Sequence, residues 1–186
     1  MSTPFLVKDI RPGLYGSEPR HLTAVGNTLF FASSDGVNGY ELWKSDGTAA
    51  GTVLVKDIRP GSLGSFPNYL TAVGNTLFFA SSDGVSGNEL WKSDGTAAGT
   101  VLVKDSFPGS FGVVRNITAV GNTLFFESRD GVSGNELWKS DGTAAGTVLV
   151  KDIRPGSLGS YPDYLRAVGN TLFFTANDGV NGRGLW

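Results

Sequence analysis

The chain has no cysteine and only one histidine among its 186 residues. Disulfide bonds and thiolate metal sites are therefore excluded. A Ser-His-Asp triad or a histidine-based zinc site would depend on His21 alone. The absence of cysteine is compatible with oxidising and reducing compartments alike, so it does not indicate where the protein resides.

The chain also has no strong excess of positive or negative residues and no extended apolar segment. The 15 basic and 17 acidic residues give a net charge of −2 and form no block of like charge. We therefore expect no nucleic-acid partner and no anionic membrane partner. No apolar run is long enough for a membrane-spanning helix, and the N-terminus lacks the basic and apolar regions of a signal peptide. With 40% hydrophobic residues, the composition predicts one folded domain over residues 1–186.

The dominant feature of the sequence is an internal repeat. Ala-Val-Gly-Asn-Thr-Leu-Phe-Phe occurs four times, beginning at Ala24, Ala72, Ala119 and Ala167, and the four tryptophans follow the same spacing. The string Glu-Leu-Trp-Lys-Ser-Asp-Gly-Thr-Ala-Ala-Gly-Thr-Val-Leu-Val-Lys-Asp occurs unchanged from Glu41, Glu89 and Glu136. Such identity indicates either recent duplication or deliberate design. The scattered differences favour duplication.

Each repeat predicts four short strands. In the second repeat these are residues 69–73, 76–80, 88–92 and 100–104. β-Branched and aromatic residues fill the strands, whereas Gly, Asn and Asp fill the connections. The Gly74-Asn75 pair predicts a tight hairpin turn. No segment has the 3.6-residue period of an amphipathic helix.

The strands are apolar on both faces, which decides the expected architecture. Leu77 and Phe79 point to one face of the sheet and Phe78 to the other. Both faces must then be covered, as they are when a small sheet packs between copies of itself. We predict an all-β protein, a β-propeller of four four-stranded antiparallel blades; a β-solenoid is the alternative. The blades comprise residues 20–58, 68–106, 115–153 and 163–186.

The two ends of the chain complement one another in this scheme. Residues 5–10 align with a fourth strand, whereas Trp186 aligns with a third strand. We expect the N-terminal strand to complete the last blade and so to close a monomeric ring without free sheet edges. In the alternative, two chains exchange these strands and share eight blades.

Glu-Leu-Trp-Lys-Ser-Asp-Gly-Thr resembles the bacterial ELWxxDGT repeat family, and the resemblance covers nearly the whole chain. The last repeat departs from the pattern, because Gly184 replaces the glutamate. The resemblance implies a secreted or surface-associated bacterial protein with tandem repeats, and no catalytic residues. The Ser-Asp-Gly-Thr segment is also similar to the Asp-box turn of sialidase-type propellers, which implies a structural role.

The repeated carboxylates predict turn structure rather than chemistry. Asp94 and Asp83, with their counterparts in the other repeats, precede glycine and should bond the amides of their own turns. Asp57 and its counterparts should cap the Pro-Gly turn that follows them. A carboxylate repeated in equivalent surroundings lacks the contrast in pKa that an acid–base pair needs. We therefore predict no catalytic residue, no metal site and no cofactor.

Binding residues are expected where the repeats differ. The loop from the fourth strand to the next first strand varies most, and it should share a face with the Asp-Gly loop. We predict that any binding surface lies on this face and comprises Arg11, Arg59, Arg154, Tyr69 and Tyr164. The alternative is that the arginines pair with carboxylates and the tyrosines pack the loop. His21 aligns with Tyr69 and is interpreted as a tolerated loop residue, and the tryptophans are interpreted as packing between blades.

Two classes of function remain open. The first is a non-enzymatic repeat scaffold or interaction module, which could be a fragment of a longer repeat protein or an engineered chain. The second is a multivalent lectin-like binder whose weak equivalent sites gain strength through avidity. The expected partner is accordingly a protein or a glycan.

Overall fold

The computed structural model describes residues 3–186, and these residues form strands, turns and loops without a helix. None of them therefore provides a helical span of a membrane. The strands are β1 (Arg20–Val25), β2 (Thr28–Ser34), β3 (Tyr40–Ser45), β4 (Val53–Lys56), β5 (Asn68–Val73), β6 (Thr76–Ser82), β7 (Gly87–Ser93), β8 (Val101–Lys104), β9 (Gly112–Val113), β10 (Arg115–Val120), β11 (Thr123–Arg129), β12 (Asn135–Ser140), β13 (Val148–Lys151), β14 (Asp163–Val168), β15 (Thr171–Asn177) and β16 (Arg183–Leu185).

These strands make four antiparallel sheets, one for each repeat. The first sheet has the order β1-β2-β3-β4, and the second, β5-β6-β7-β8, also has β9 paired parallel to β7. The third sheet is β10-β11-β12-β13, and the fourth has three strands, β14-β15-β16. The predicted strands of the second repeat are confirmed, and Gly74 has the positive φ of +56° expected for its turn.

The core lies between consecutive sheets. Phe79 and Leu77 of the second sheet are buried together with Phe30 and Leu42 of the first. Further clusters join the second sheet to the third and the third to the fourth. Burying each such side chain contributes about 1.5–3 kcal/mol. The prediction that the sheets are covered on both faces is thus confirmed for the two middle sheets.

Tryptophan and lysine side chains bind the first sheet to the second and the second sheet to the third. Trp91 is 7% exposed and packs in the cluster between the first and second sheets. From the first sheet, Lys44 Nζ donates to Gly95 O at 2.8 Å and Lys56 Nζ donates to Thr100 O at 2.8 Å. The second sheet binds the third through the corresponding lysines, Lys92 and Lys104. The interpretation of the tryptophans as packing between blades is confirmed for Trp91 and Trp138, which lie in clusters between consecutive sheets. Trp43 is also buried.

The N-terminal segment differs from the prediction. Residues 5–10 form no strand and do not pair with β16. They lie against the first sheet, where Lys8 Nζ donates to Thr52 O at 2.7 Å and Ile10 lines a pocket with Leu29 and Phe31. Lys8 therefore contacts the first sheet as Lys56 contacts the second. The physical reason is that Val7 and Ile10 are half-buried against the first sheet, although Phe5 and Leu6 remain exposed and the sheet is covered only in part.

The four sheets form an open row rather than the predicted closed ring. First strands of consecutive sheets are neighbours, in the order β1, β5, β10 and β14. The outward face of the fourth sheet is uncovered, since Val168 is 62% exposed and Phe173 is 40% exposed. Their counterparts in the first sheet, Val25 and Phe30, are only 8% and 3% exposed. A monomeric ring would bury the side chains of Val168 and Phe173, so the expectation that residues 5–10 close one chain on itself is not met.

Candidate ligand-binding site

The first strands of the sheets line a cleft. Threonines hold these strands side by side: Thr71 Oγ1 donates to Ile117 O at 3.4 Å, and Thr118 Oγ1 donates to Leu165 O at 3.4 Å. Each first strand has an irregular register near its start, where a residue has a positive φ. These residues are His21, Tyr69, Asn116 and Tyr164, with φ between 53° and 56°.

Glycine would adopt this left-handed conformation without strain, whereas a residue with a side chain costs about 1 kcal/mol or more. The chain nevertheless places polar and aromatic side chains there. Tyr69 and Tyr164 are 40% and 67% exposed, so burial in the core does not account for them. Residues of this kind, held in a strained conformation beside a cavity, are candidates for ligand contact.

Two adjoining cavities make up the cleft between the second, third and fourth sheets, with volumes of about 240 Å³ and 300 Å³. Both are lined by Tyr69, Asn116 and Asp163. The smaller cavity is also lined by Ile117, Thr118, Tyr164, Leu165 and Arg166. The larger, which we call the charged cavity, is also lined by Arg115, Glu127, Tyr161, Pro162 and Arg183.

Glu127 is the most buried ionisable side chain of the charged cavity, with 4% exposure. Burial raises the pKa of its carboxyl group, although the hydrogen bond from Asn135 and the charges of Arg115 and Arg183 act in the opposite direction. Asn135 Nδ2 donates to Glu127 Oε1 at 2.5 Å. Glu127 and Arg115 are directly opposed in the β10–β11 pair, so their side chains leave the same face of the sheet.

The fourth sheet contributes the other charges of this cavity. Arg183 is fixed, because Nη1 donates to Thr175 Oγ1 at 3.0 Å and Nη2 donates to Tyr161 O at 3.1 Å. Asp163 Oδ1 accepts a hydrogen bond from the amide of Tyr164 at 2.7 Å. Within residues 3–186, the guanidinium of Arg115 has no hydrogen-bond partner. Two cations and two carboxylates therefore surround the cavity.

The predicted binding residues separate into two groups. Tyr69 and Tyr164 lie in the cleft. Arg11, Arg59 and Arg154 lie instead at the Asp-Gly loops, where each side chain packs over a glycine of a following sheet. A Cβ added at Gly84, for example, would lie 2.8 Å from Arg59 Nε. In the third repeat Phe107 takes the place of the arginine and packs over Gly131.

The alternative, in which the arginines pair with carboxylates, differs from the structure, because these arginines pack over glycines instead. Among the described residues, none of these three arginines forms a salt bridge. His21 also differs from its interpretation as a loop residue, because it lies within β1. Sequence reasoning missed Asn116 as a site residue, and alignment with Tyr69 was the signal that could have found it.

Two of the three sets of repeated aspartates bond their own turns, as predicted. Asp94 Oδ1 accepts hydrogen bonds from Thr96 N and Thr96 Oγ1 at 2.8 and 2.7 Å, and these bonds lower the pKa of Asp94. Asp83 Oδ1 accepts hydrogen bonds from the amides of Val85 and Ser86 at 2.8 Å. Burial of Asp83 acts to raise its pKa, but these bonds outweigh it and the pKa is lowered.

The third set departs from the prediction. Asp105 caps its turn through the amide of Phe107, but Asp57 and Asp152 each have a buried oxygen that finds no hydrogen-bond partner in residues 3–186. The turn after Asp57 is capped instead by Glu41, whose carboxylate accepts hydrogen bonds from the amides of Ile58 and Arg59 at 3.0 and 3.2 Å.

The glutamate of the repeated motif is therefore a structural residue that sequence reasoning left without a role. Glu41, Glu89 and Glu136 are at most 1% exposed. Burial raises the pKa of Glu41 to about 6 and that of Glu89 to about 7. Among the described residues, Glu89 accepts hydrogen bonds only from Ser106, and its Oε1 is buried without a partner. The signal in the sequence was the absence of this glutamate from the last repeat, where Gly184 replaces it.

No group of three or more His, Cys, Asp or Glu side chains within residues 3–186 is arranged to hold a metal ion. The cleft instead offers hydrogen-bond donors, acceptors and tyrosine rings, which are the groups that bind polar organic ligands.

Comparison with known proteins gives a match of fold alone. No family model and no curated protein matches the chain. A solved structure from a study titled "Structural and Mechanistic Analysis of Two Prolyl Endopeptidases: Role of Inter-Domain Dynamics in Catalysis and Specificity" superposes with a TM-score of 0.53 at 14% identity. The match covers 87% of this chain and 24% of the other. The chain thus spans about a quarter of that protein, and the likeness concerns the arrangement of the sheets.

Proposed function

We propose that this chain is a non-enzymatic repeat scaffold, an interaction module in which stacked four-stranded sheets assemble into a closed β-propeller. The observation that carries the proposal is the use of the repeated motif. Its glutamate caps a turn, its tryptophan packs between sheets, its lysine binds the next sheet and its aspartate bonds its own turn. These shared residues are therefore engaged in ordering turns and in holding the sheets together.

The N-terminal segment supports assembly between two copies. It lies on the first sheet as the fourth strand of a preceding sheet would, with Lys8 bonded to Thr52 O. In the first sheet, Leu54 of the fourth strand pairs with Trp43 of the third strand. By alignment, the corresponding residues are Leu6 and Trp186, so the N-terminal segment can pair with β16 of another copy. The backbone hydrogen-bonding groups along the N-terminal segment and along the free edge of β16 would then both be paired.

Exposed apolar surface at both ends of the row favours the same arrangement. Leu22 on the first sheet is 60% exposed, whereas its counterpart Leu165 is 2% exposed. On the fourth sheet, Val168 and Leu185 are exposed. Two copies placed head to tail would cover both faces and form a ring of eight sheets. Two copies are favoured over one because the open row keeps the first and fourth sheets from packing together. The likeness to a solved prolyl endopeptidase structure in the arrangement of the sheets supports the packing of sheet on sheet.

Light scattering after size exclusion tests this assembly. We expect a molar mass twice the 19.5 kDa of the chain. Deleting residues 1–10 should give the mass of one chain, with a β-sheet circular dichroism spectrum showing that the sheets remain folded. A full-length protein with the mass of a single chain would refute the eight-sheet ring.

The multivalent lectin-like binder remains the second candidate, but equal sites have less support. The bulge positions along the first strands carry four residues of three types: His21, Tyr69, Asn116 and Tyr164. Equal sites would need equal residues at these positions.

A further inference from the structure

The charged cavity is built from residues that the repeat does not require. Glu127 occupies a position that is Ala32 in the first sheet, Ala80 in the second and Thr175 in the fourth. Alanine at this position is compatible with the fold in two sheets. Folding alone therefore does not account for a carboxylate that is 4% exposed.

The carboxylate of Glu127 is only partly satisfied by the protein. Oε1 accepts the hydrogen bond from Asn135, whereas Oε2 has no hydrogen-bond partner among the described residues. The guanidinium of Arg115, opposite Glu127 across the strand pair, is also without a partner in that part of the chain. A free acceptor and free donors thus stand side by side at the wall of a cavity of about 300 Å³.

The charges of the cavity balance. Arg115 and Arg183 carry two positive charges, and Glu127 and Asp163 carry two negative charges when ionised. Such a cavity gives no net attraction to an anion or a cation, but it offers hydrogen bonds in both directions. Tyr69 and Tyr161, which are 40% and 50% exposed, add aromatic rings at its rim.

We propose that the charged cavity binds one neutral saccharide unit per chain. Neighbouring hydroxyl groups of a sugar can donate to Glu127 Oε2 and accept from Arg115 at the same time, while an apolar face of the sugar ring packs on tyrosine. The volume lies at the low end of small-molecule sites, which suits a monosaccharide or the end of a glycan. This proposal goes beyond the scaffold role and predicts one site rather than equivalent sites on every sheet.

Titration calorimetry with neutral methyl glycosides tests the proposal. The probes are the methyl glycosides of glucose, galactose, mannose and N-acetylglucosamine, with glucuronate and glucosamine as charged comparators. We expect at least one neutral probe to bind with a Kd of about 1 mM and a stoichiometry of one per chain. The charged comparator of the same sugar should bind more weakly. Absence of binding by all four glycosides would overturn the proposal, as would one equal site on each sheet.

A pair of substitutions locates the site. Glu127→Ala introduces the residue of the first two sheets and should weaken binding about tenfold through loss of a charged hydrogen-bond acceptor. Arg129→Ser, on the same strand but outside the cavity lining, introduces the residue found at Ser34 and Ser82 and should leave affinity unchanged. Equal affinity of wild type and Glu127→Ala would refute the site even if a glycoside binds. Thermal unfolding of both variants shows whether they remain folded.

Discussion

Replacing Lys56 by methionine tests whether the lysines fasten consecutive sheets. Lys56 Nζ donates to the carbonyl of Thr100, a residue that is 0% exposed, at 2.8 Å. Methionine preserves much of the apolar stem but removes the donor, and the carbonyl then loses this partner. A hydrogen bond from a charged group contributes about 1.5–3 kcal/mol, and the half-buried ammonium places the cost near the lower end, at about 1.5 kcal/mol.

The chain contains a matched control at Lys151. Lys151 follows the same Val-Leu-Val sequence as Lys56. Both lysines also contact a tryptophan ring: Lys151 Nζ lies 5.4 Å from the ring centroid of Trp186, and Lys56 Nζ lies 6.0 Å from that of Trp91. Within residues 3–186, however, Lys151 has no carbonyl partner. Lys151→Met should therefore change the free energy of unfolding by less than about 0.5 kcal/mol.

Urea unfolding followed by circular dichroism, at one protein concentration, measures both variants. For a chain of this length, the loss at Lys56 corresponds to a fall in Tm of about 3–6 °C. Equal losses for Lys56→Met and Lys151→Met would refute the reasoning, because the cation–ring contact that they share would then account for the whole effect.

Three further predictions concern a tryptophan between sheets, a buried carboxyl group and a turn. Trp91→Ala should lower the free energy of unfolding by about 3–5 kcal/mol, as measured by urea unfolding. Trp186→Ala should lower it clearly less, because Trp186 is 38% exposed, and equal losses would contradict packing between sheets. The pKa of Glu89 is about 7 in the fold against 4.5 for the free side chain, so its contribution to stability is present below pH 4.5 and is lost as pH rises through 7. Glu89→Gln should therefore flatten the fall in unfolding free energy over this range, by up to about 3 kcal/mol, and an unchanged pH profile would contradict this. Gly99→Ala should lower Tm, because a Cβ there would lie 2.1 Å from the carboxylate of Asp94; an unchanged Tm would show that the turn can relax.

The sheets could be predicted because the relevant information is local and repeated. Apolar residues on both faces of Leu77-Phe78-Phe79 require cover on both sides, and that requirement can be read from any one repeat. The closure of the ring could not be predicted, because it depends on the angle between successive sheets. That angle arises from side-chain packing along whole faces rather than from any motif.

The candidate site was only half predictable for a related reason. Tyr69 and Tyr164 stood out as aromatic residues at variable positions, and both lie in the cleft. The same reasoning predicts Arg59, but its side chain packs over Gly84, a contact between sheets that alignment within one repeat does not reveal. Glu127 was missed because a single glutamate replacing alanine is a small change among many differences between repeats.

Cysteine cross-linking tests the central claim most directly, since the chain has no native cysteine. In Leu6→Cys/Trp186→Cys, the two thiols lie at positions aligned with the Leu54–Trp43 pair. If the N-terminal segment of one copy pairs with β16 of another, mild oxidation gives covalent dimers on a denaturing gel. Neither single-cysteine variant should give the doubly linked species. Oxidation within one chain, or no disulfide at all, would contradict a propeller completed by two copies.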